Sequence, residues 1–575
     1  MTTNTATTAT AAQTQAKPSQ AMLPPRNQLI SDEVELFFAT QNQEVLDAKG
    51  VEFQLLNRIN NRLIAENANY NLKGTRAFQT LSALSPAVIA DCMLHRNRIV
   101  RIMLSDKNTD PNYDVLAVYM DHGPNTGIYV TDEVSIRVLA RAYNYSISPK
   151  ELDHVIDMLK DNAPRVMVNT ERDLIAVNNG IFDYKTKTLL PFTPEVVFTA
   201  KSAVDYKENP VNPVIHNNTD GTDWDIESWM ADLNDDPEIV NLLWEIMSAI
   251  IRPNVAWDKT AWLLSEVGNN GKGTLLTLMR NLCGERAWTS IPVADFGKDF
   301  HLEPLIRTNA VLVDENDVGE YVDKAANLKA VITNDVILIN RKNKTPIAYQ
   351  FRGFMVQCVN DTPRFRDKSG SLYRRQIIIP FNKSFTGSER KYIKQDYMHR
   401  TEVLEYVLHR VLSGNFYELS EPAAVKAALH RYKIENDPIR AFVEEFLDRM
   451  VWDLLPWRFL YALYRAWLVK DQPSNPPLGY NKFVQHLTLV LQDTPDEGKN
   501  WIVTPAATRT QNRIVGDEPL AVEYDLHDWI DIQPAGGSMR KIGIPHNMPI
   551  STRGLLRATA TASPGSASDD DDQDS

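Results

Sequence analysis

Hydrophobic positions along the chain mark its elements. Residues 1–28 are mostly Thr, Ala, Gln and Pro with few large apolar residues, which predicts a disordered tail. From Ser31 onward apolar positions recur. Helical spacing over 34–38, 45–60, 135–145 and 149–159 predicts helices, and 115–120 with 127–130 predicts a strand pair across Gly123-Pro124-Asn125. Residues 174–192 predict hairpins with Asn-Gly and Lys-Thr-Lys turns. Residues 208–223, rich in Pro, Asn, Asp and Gly, predict a linker, and helices are expected over 224–233 and 237–251.

The most informative stretch is 262–284. Trp262-Leu263-Leu264 predicts a buried strand, and Leu275, Leu276, Leu278, Met279 and Leu282 recur at helical spacing before Gly284, where a C-terminal cap belongs. Between them lies Gly268-Asn269-Asn270-Gly271-Lys272-Gly273-Thr274. A strand, a glycine-rich loop, a lysine and a helix form a phosphate-binding arrangement: backbone N–H groups turn onto the anion, the helix N-terminus adds positive potential, and the lysine reaches the outer phosphates. Two positions depart from the usual pattern. Glu266 stands where its first glycine belongs, and Gly273 stands where a hydroxyl follows the lysine, so a Mg²⁺ ligand there is left to Thr274 or to water.

Further apolar runs end in polar groups suited to the same chemistry. Ala310–Val313 is read as a buried strand ending in Asp314-Glu315, some 40 residues after the loop, where one carboxylate can orient Mg²⁺ and the next polarise water. Residues 354–359 form another such run, ending in Asn360, which can position the attacking water or simply open the next turn. Arg374 and Arg375 directly precede a fourth apolar run, where arginine can reach a neighbouring subunit's nucleotide or make surface salt bridges.

Charge changes the picture in one place. The chain of 575 residues carries a net charge of −13, against a wholly basic nucleic-acid coat. Residues 341–394, however, hold thirteen Lys or Arg against three acids, a local net charge of +10 that calls for a polyanionic partner. Its tip, Arg341, Lys342 and Lys344, joins two predicted strands, 336–340 and 345–351. Cys92, Cys283 and Cys358 are isolated, which suggests a reducing compartment. No basic-then-apolar leader and no apolar run near ~20 residues is present, so a cytoplasmic protein without a membrane contact is expected.

Taken in series, GNNGKGT, LVDEND, the basic hairpin, VQCVND-TP and YRRQIIIPF resemble the superfamily 3 helicases of phage, plasmid and poxvirus primase–helicases. IAVNNGIFDYKTKTLLPFTPE resembles the domain preceding the motor, and DPIRAFVEEFLDR through LGYNKFVQHL resembles the family's winged-helix module. The resemblance implies an α/β fold: a P-loop, AAA+-like ATPase core with an α+β N-terminal region and a C-terminal winged helix. It implies ATP and Mg²⁺ as cofactors, single-stranded and forked DNA as partners, and a homo-oligomeric ring, a hexamer in the family. Lys272 would contact the β/γ-phosphates within the loop 268–274, Asp314 would hold Mg²⁺ and Glu315 would activate water. Asn360 would be the sensor, Arg374 or Arg375 a finger acting in trans, and Lys342 or Lys344 the grip on DNA.

The chain is thereby divided into a tail (1–28), a collar-like N-terminal region (29–207), a linker (208–223), the ATPase domain (224–400), a helical connector (401–435), a winged-helix-like domain (436–555) and an acidic tail (556–575). Residues 29–173 are short for a primase domain and show no paired strand carboxylates, so priming is not assigned. Two other readings stand beside the helicase. One is a replication initiator, or primase–helicase, that uses ATP as an assembly switch. The other is a nucleotide kinase, because Gly-Lys-Gly-Thr also resembles the adenylate kinase loop.

Overall fold

The computed structural model describes residues 23–40, 46–107, 110–316, 321–322, 325–342, 344–361, 363–365, 370–471, 476–493, 500–535, 538–545 and 548–561. The chain is a mixed α/β protein in two compact units, one of residues 1–169 with 192–199, the other of 170–191 with 200–575.

In the first unit a four-stranded sheet runs in the order Tyr129–Val130, Val115–Tyr119, Ile99–Met103, Arg165–Met167. Its helices bury one stripe each. In Ala48–Asn69, Val51, Leu55, Ile59 and Leu63 recur every four residues and all are at most 2% exposed. Ser148 and Glu151 form a reciprocal capping box that starts Pro149–Asn162. The expected tail 1–28 ends earlier than read: helix Arg26–Thr40 begins after Pro25 because Leu29 and Ile30 are buried and the Arg26 guanidinium donates to the Gln79 carbonyl. Residues 1–22 of that tail, and residue 45 at the start of the expected helix 45–60, lie outside the described residues.

The second unit is built on a five-stranded parallel sheet: β1 (Thr260–Leu264), β2 (Trp288–Thr289), β3 (Ala310–Val313), β4 (Phe354–Val359) and β5 (Gln376–Pro380), in the spatial order β2-β3-β4-β1-β5. Four of these strands, buried along nearly their whole length, are largely apolar runs rather than alternating ones, while β2 is a short half-buried edge. Helix α1 (Lys272–Cys283) follows β1 and buries Leu275, Leu276, Leu278, Met279 and Leu282 completely. It stops at Gly284, whose φ of 86° is the left-handed conformation expected of a cap.

The three-stranded sheet of Leu174–Val177, Gly180–Asp183 and Thr188–Leu190 shares this unit's core, so the boundary near 207 is not where the compact units part. The stretch 208–223 is likewise not a plain linker. Ile215–Asn217 and Thr222–Trp224 pair as a hairpin whose Ile215 and Trp224 enter the core, and the next helix starts at Ile226 rather than 224. All three cysteines are buried and free.

Toward the C-terminus, helix Ala423–Asn436 leads into Pro438–Phe446, strand Leu454–Pro456, helices Trp457–Asp471 and Tyr480–Asp493, strand Trp501–Val503 and strand Gly554–Arg557. The last strand inserts between the other two, and a hairpin of Asp531–Ala535 and Ser538–Ile542 stands apart. The expected tail 556–575 starts too early, because Leu556 and Arg557 pair with Leu454 and Trp501; residues 562–575 lie outside the described residues.

Glu518 is fully buried in this region. Its Oε2 accepts from the Val451 and Trp452 N–H groups at 2.8 and 3.3 Å, its Oε1 has no hydrogen-bond partner, and burial raises its carboxyl pKa. The folded chain therefore favours the protonated form, and this group's stabilisation is lost as pH rises from the ordinary value of 4.5 through the folded one. Glu518→Gln, which keeps an acceptor and removes the charge, is expected to melt higher than the wild type at pH 8. The gain should shrink as pH falls toward 4.5. A melting difference independent of pH in scanning calorimetry would refute this.

Candidate nucleotide site

Parallel strands deliver their C-terminal residues to one edge, and register places the ends of β1, β3 and β4 side by side. Leu264 pairs with Val359, and Val313 with Gln357. The loop after β1, Asp314 after β3 and Asn360 after β4 therefore share the edge at which open α/β sheets bind ligands.

The loop is held from within. Ser265 N–H continues the ladder to the Val359 carbonyl at 3.2 Å. Asn270 is buried, its Nδ2 donates to the Val267 carbonyl at 2.5 Å, and its Oδ1 accepts from the Lys272 N–H at 3.2 Å. Gly271 has a φ of 85°, and a β-carbon there would lie 2.6 Å from Leu233 Cδ2, so both backbone and space demand glycine. Asn269, also left-handed with a φ of 55°, donates to Glu389 Oε1 at 2.8 Å. Gly268 and Asn269 are exposed; Thr274 is half-buried within the first turn of α1.

Lys272 is 6% exposed, and its ammonium donates to Val359 O at 3.0 Å, Asn360 Oδ1 at 3.2 Å and Ser265 O at 3.4 Å. Burial lowers its pKa from the ordinary lysine value, opposed by Cys358 and by the charge of Asp314. Asp314 is half-exposed; Arg280 Nη1 lies 3.9 Å from its Oδ2, and a β-carbon on Gly273 would lie 3.6 Å from its Oδ1. Glu315 is exposed beside it.

Two residues here gave no sign of a role in the sequence, although Asn316 lies within LVDEND. Asn316 locks the turn after β3, accepting from Val293 N–H at 2.9 Å and donating to Gln357 Oε1 at 3.0 Å and Cys358 O at 3.1 Å. Arg280, two turns along α1 from Lys272, stacks over Trp288 at 4.7 Å while facing Asp314.

Arg374 and Arg375 are not brought to Lys272 in the same chain. They precede β5, whose first residue pairs with Thr260 at the start of β1, so the length of a strand separates them from the site. Arg374 is exposed, and Arg375 is half-buried with Nη1 donating to the Ser371 carbonyl. Their segment rests on the C-terminal region: the Tyr373 hydroxyl accepts from Asn436 Nδ2 at 3.0 Å, and the Tyr432 ring packs edge-on at 5.7 Å.

The basic tip joins strands Val336–Arg341 and Lys344–Gln350. Ile337 and Ile339 face inward and Leu338 outward, which fixes the register. Arg341 clamps the turn through two bonds to the Thr345 carbonyl, at 3.0 and 2.8 Å, whereas Lys342 and Lys344 are exposed. Part of the basic excess is neutralised within the fold, since Lys383 pairs with Asp235 at 2.7 Å and Arg390 faces Asp220 at 4.0 Å.

Comparison with known proteins adds three matched segments. Residues 263–375 match the model of a family of unknown function, DUF5906, which spans the loop, Asp314, the hairpin and both arginines. Among solved structures, the A form apo structure of the NrS-1 C terminal region is similar at 14% identity over 80% of this chain and 100% of that one, with a TM-score of 0.39. A second structure of that region is similar at 15% identity over 80% and 99%, with a TM-score of 0.38. Residues 129–247 match the D5 N terminal like family and residues 434–515 the Poxvirus D5 protein-like family, so over those segments the chain is D5-like.

Proposed function

We propose that the chain is an ATP-driven DNA helicase of the superfamily 3 type, working in the replication of a phage, plasmid or other mobile element. The observation that carries this reading is the convergence of Lys272, Asn360 and Asp314 on one strand edge, at the N-terminus of α1. The D5-like segments on either side support a replication setting.

In this reading Lys272 exchanges its carbonyl and Asn360 acceptors for the β/γ-phosphates of ATP, and Asn360 holds the attacking water in line. Glu315 accepts its proton, and Arg374 or Arg375 enters the site of the adjoining subunit. Their place at the opposite strand edge supports action in trans within a ring, for which the family suggests six subunits. For Mg²⁺ the donor set fits, because one carboxylate borders the space in front of Gly273 and such ions are completed by substrate phosphates and water. Asp314, with Thr274 nearby in sequence, would hold the ion, which when bound neutralises phosphate charge. The order of helices and strands over 438–557, with the last strand in the middle of its sheet, supports a winged-helix module. Among the described residues no helix is long and apolar enough to cross a membrane.

The test is strand displacement on forked DNA with ATP, beside a non-hydrolysable analogue and with both overhang polarities. ATP-dependent displacement is expected, and its absence with intact ATP hydrolysis favours the initiator reading, which predicts sequence-specific duplex binding instead. Neutralising Lys342 and Lys344 together is expected to weaken single-strand binding at least tenfold. It should also flatten the dependence of log affinity on log salt by about 1.4. Undiminished binding in that variant would remove the hairpin from the interface.

A further inference from the structure

Gly273 stands where a hydroxyl side chain would follow the phosphate-loop lysine, and the space it leaves is bordered by charge. A β-carbon built there would lie 3.3 Å from Lys394 Nζ and 3.6 Å from Asp314 Oδ1. Lys394 belongs to helix α2 (Lys391–Gln395), more than a hundred residues downstream. Its ammonium makes no hydrogen bond or ion pair with any described residue, although Asp314 lies across the same small space.

The helix that carries it is pinned. The Tyr392 hydroxyl donates to Asp220 Oδ2 at 2.6 Å, and Asn281 of α1 donates to the Met398 carbonyl just beyond at 2.8 Å. Glu389 and Phe385, on the same segment, bond to Asn269 of the loop at 2.8 and 2.7 Å. Lys394 is thus held over the first turn of α1 by contacts that do not use its own charge. Together with Lys272 and Arg280 it leaves Asp314 outnumbered by cations, a balance suited to a polyanion.

We propose that Lys394 is a phosphate-contacting residue of this site, reaching the nucleotide of its own subunit through the gap at Gly273 and favouring triphosphate over diphosphate. The proposal rests on the nucleotide reading above. A lysine from outside the loop, instead of a hydroxyl within it, then supplies the group on the Asp314 side of the phosphates. A β-carbon at 273 would press on its ammonium at 3.3 Å.

The test is the affinity of the full chain for ATPγS and for ADP, by competition with a fluorescent nucleotide, in the wild type and in Lys394→Ala, Lys394→Arg and Lys272→Ala. Lys394→Ala is expected to weaken ATPγS at least tenfold and ADP less than threefold, with Lys394→Arg within threefold of wild type for both. Unchanged ATPγS affinity in Lys394→Ala overturns the proposal, as does equal loss for both nucleotides or failure of arginine to rescue. Lys272→Ala separates the two readings. If it binds ATPγS normally, the nucleotide site itself is wrong; if it loses binding while Lys394→Ala keeps it, only the role of Lys394 falls.

Discussion

Lys272→Ala is expected to lower ATP hydrolysis by roughly 10²–10³-fold, the loss that follows removal of a preorganised charge from a developing phosphoryl transition state. The residue is placed for it. Its ammonium sits 6% exposed among Ser265 O, Val359 O and Asn360 Oδ1, three acceptors from the ends of two adjacent parallel strands. Those acceptors hold the charge in position at the strand edge, so little reorganisation is needed when phosphate arrives. The substitution should leave α1 intact, because alanine favours helix and the apolar stripe from Leu275 to Leu282 is untouched. Steady-state hydrolysis beside far-ultraviolet circular dichroism checks both halves. A folded variant that turns over ATP at the wild-type rate would remove Lys272 from the mechanism.

Asp437→Ala is expected to cost about 3–5 kcal/mol, the penalty for breaking a buried ion pair from one side. Asp437 is 1% exposed, caps helix Pro438–Phe446 through the Ile439 N–H at 3.0 Å, and accepts from His486 Nε2 at 2.7 Å. Its Oδ2 lies 3.7 Å from Arg440 Nε, and Arg440 is 4% exposed with Asp493 as its other carboxylate, at 3.0 Å. Removing Asp437 therefore strips a cap and leaves a buried guanidinium half-compensated. The double variant Asp437→Ala, Arg440→Met should recover part of the loss, since the uncompensated charge goes with it. Urea titrations of the three proteins measure this. Equal midpoints for the single variant and the wild type would show that the network contributes nothing. The same region holds Tyr373 through Asn436, so protease sensitivity near Arg374 and Arg375 should rise with the loss.

The glycine-rich loop at 268–274 was legible from its residues because its conformation is local. Gly271 needs a left-handed φ and lacks room for a side chain, and the apolar run before it and the periodic helix after it are properties of neighbouring positions. The strand ends at Asp314 and Asn360 were legible for a similar reason, as short apolar runs closing on a polar group. Other features were not. The hairpin within 208–223 has strands of three residues, too short for a period of two to show among turn residues. The start of the first helix at Arg26 depends on Leu29 and Ile30 finding a core, which composition alone does not reveal.

By itself, then, the sequence determined which residues can turn tightly, which runs are buried and where the basic hairpin and the glycine-rich loop lie, because each is written in adjacent positions. Only the tertiary structure decided that Asn360 meets Lys272, that Asn316 locks the turn beside them, that Arg280 approaches Asp314 while Lys394 borders the same space at Gly273, and that Arg374 and Arg375 lie at the opposite strand ends. Those are relations between groups far apart in the chain, 42 residues for the Asn316–Cys358 bond and 88 for Lys272–Asn360, set by the order in which parallel strands pair, and no local spacing encodes that order.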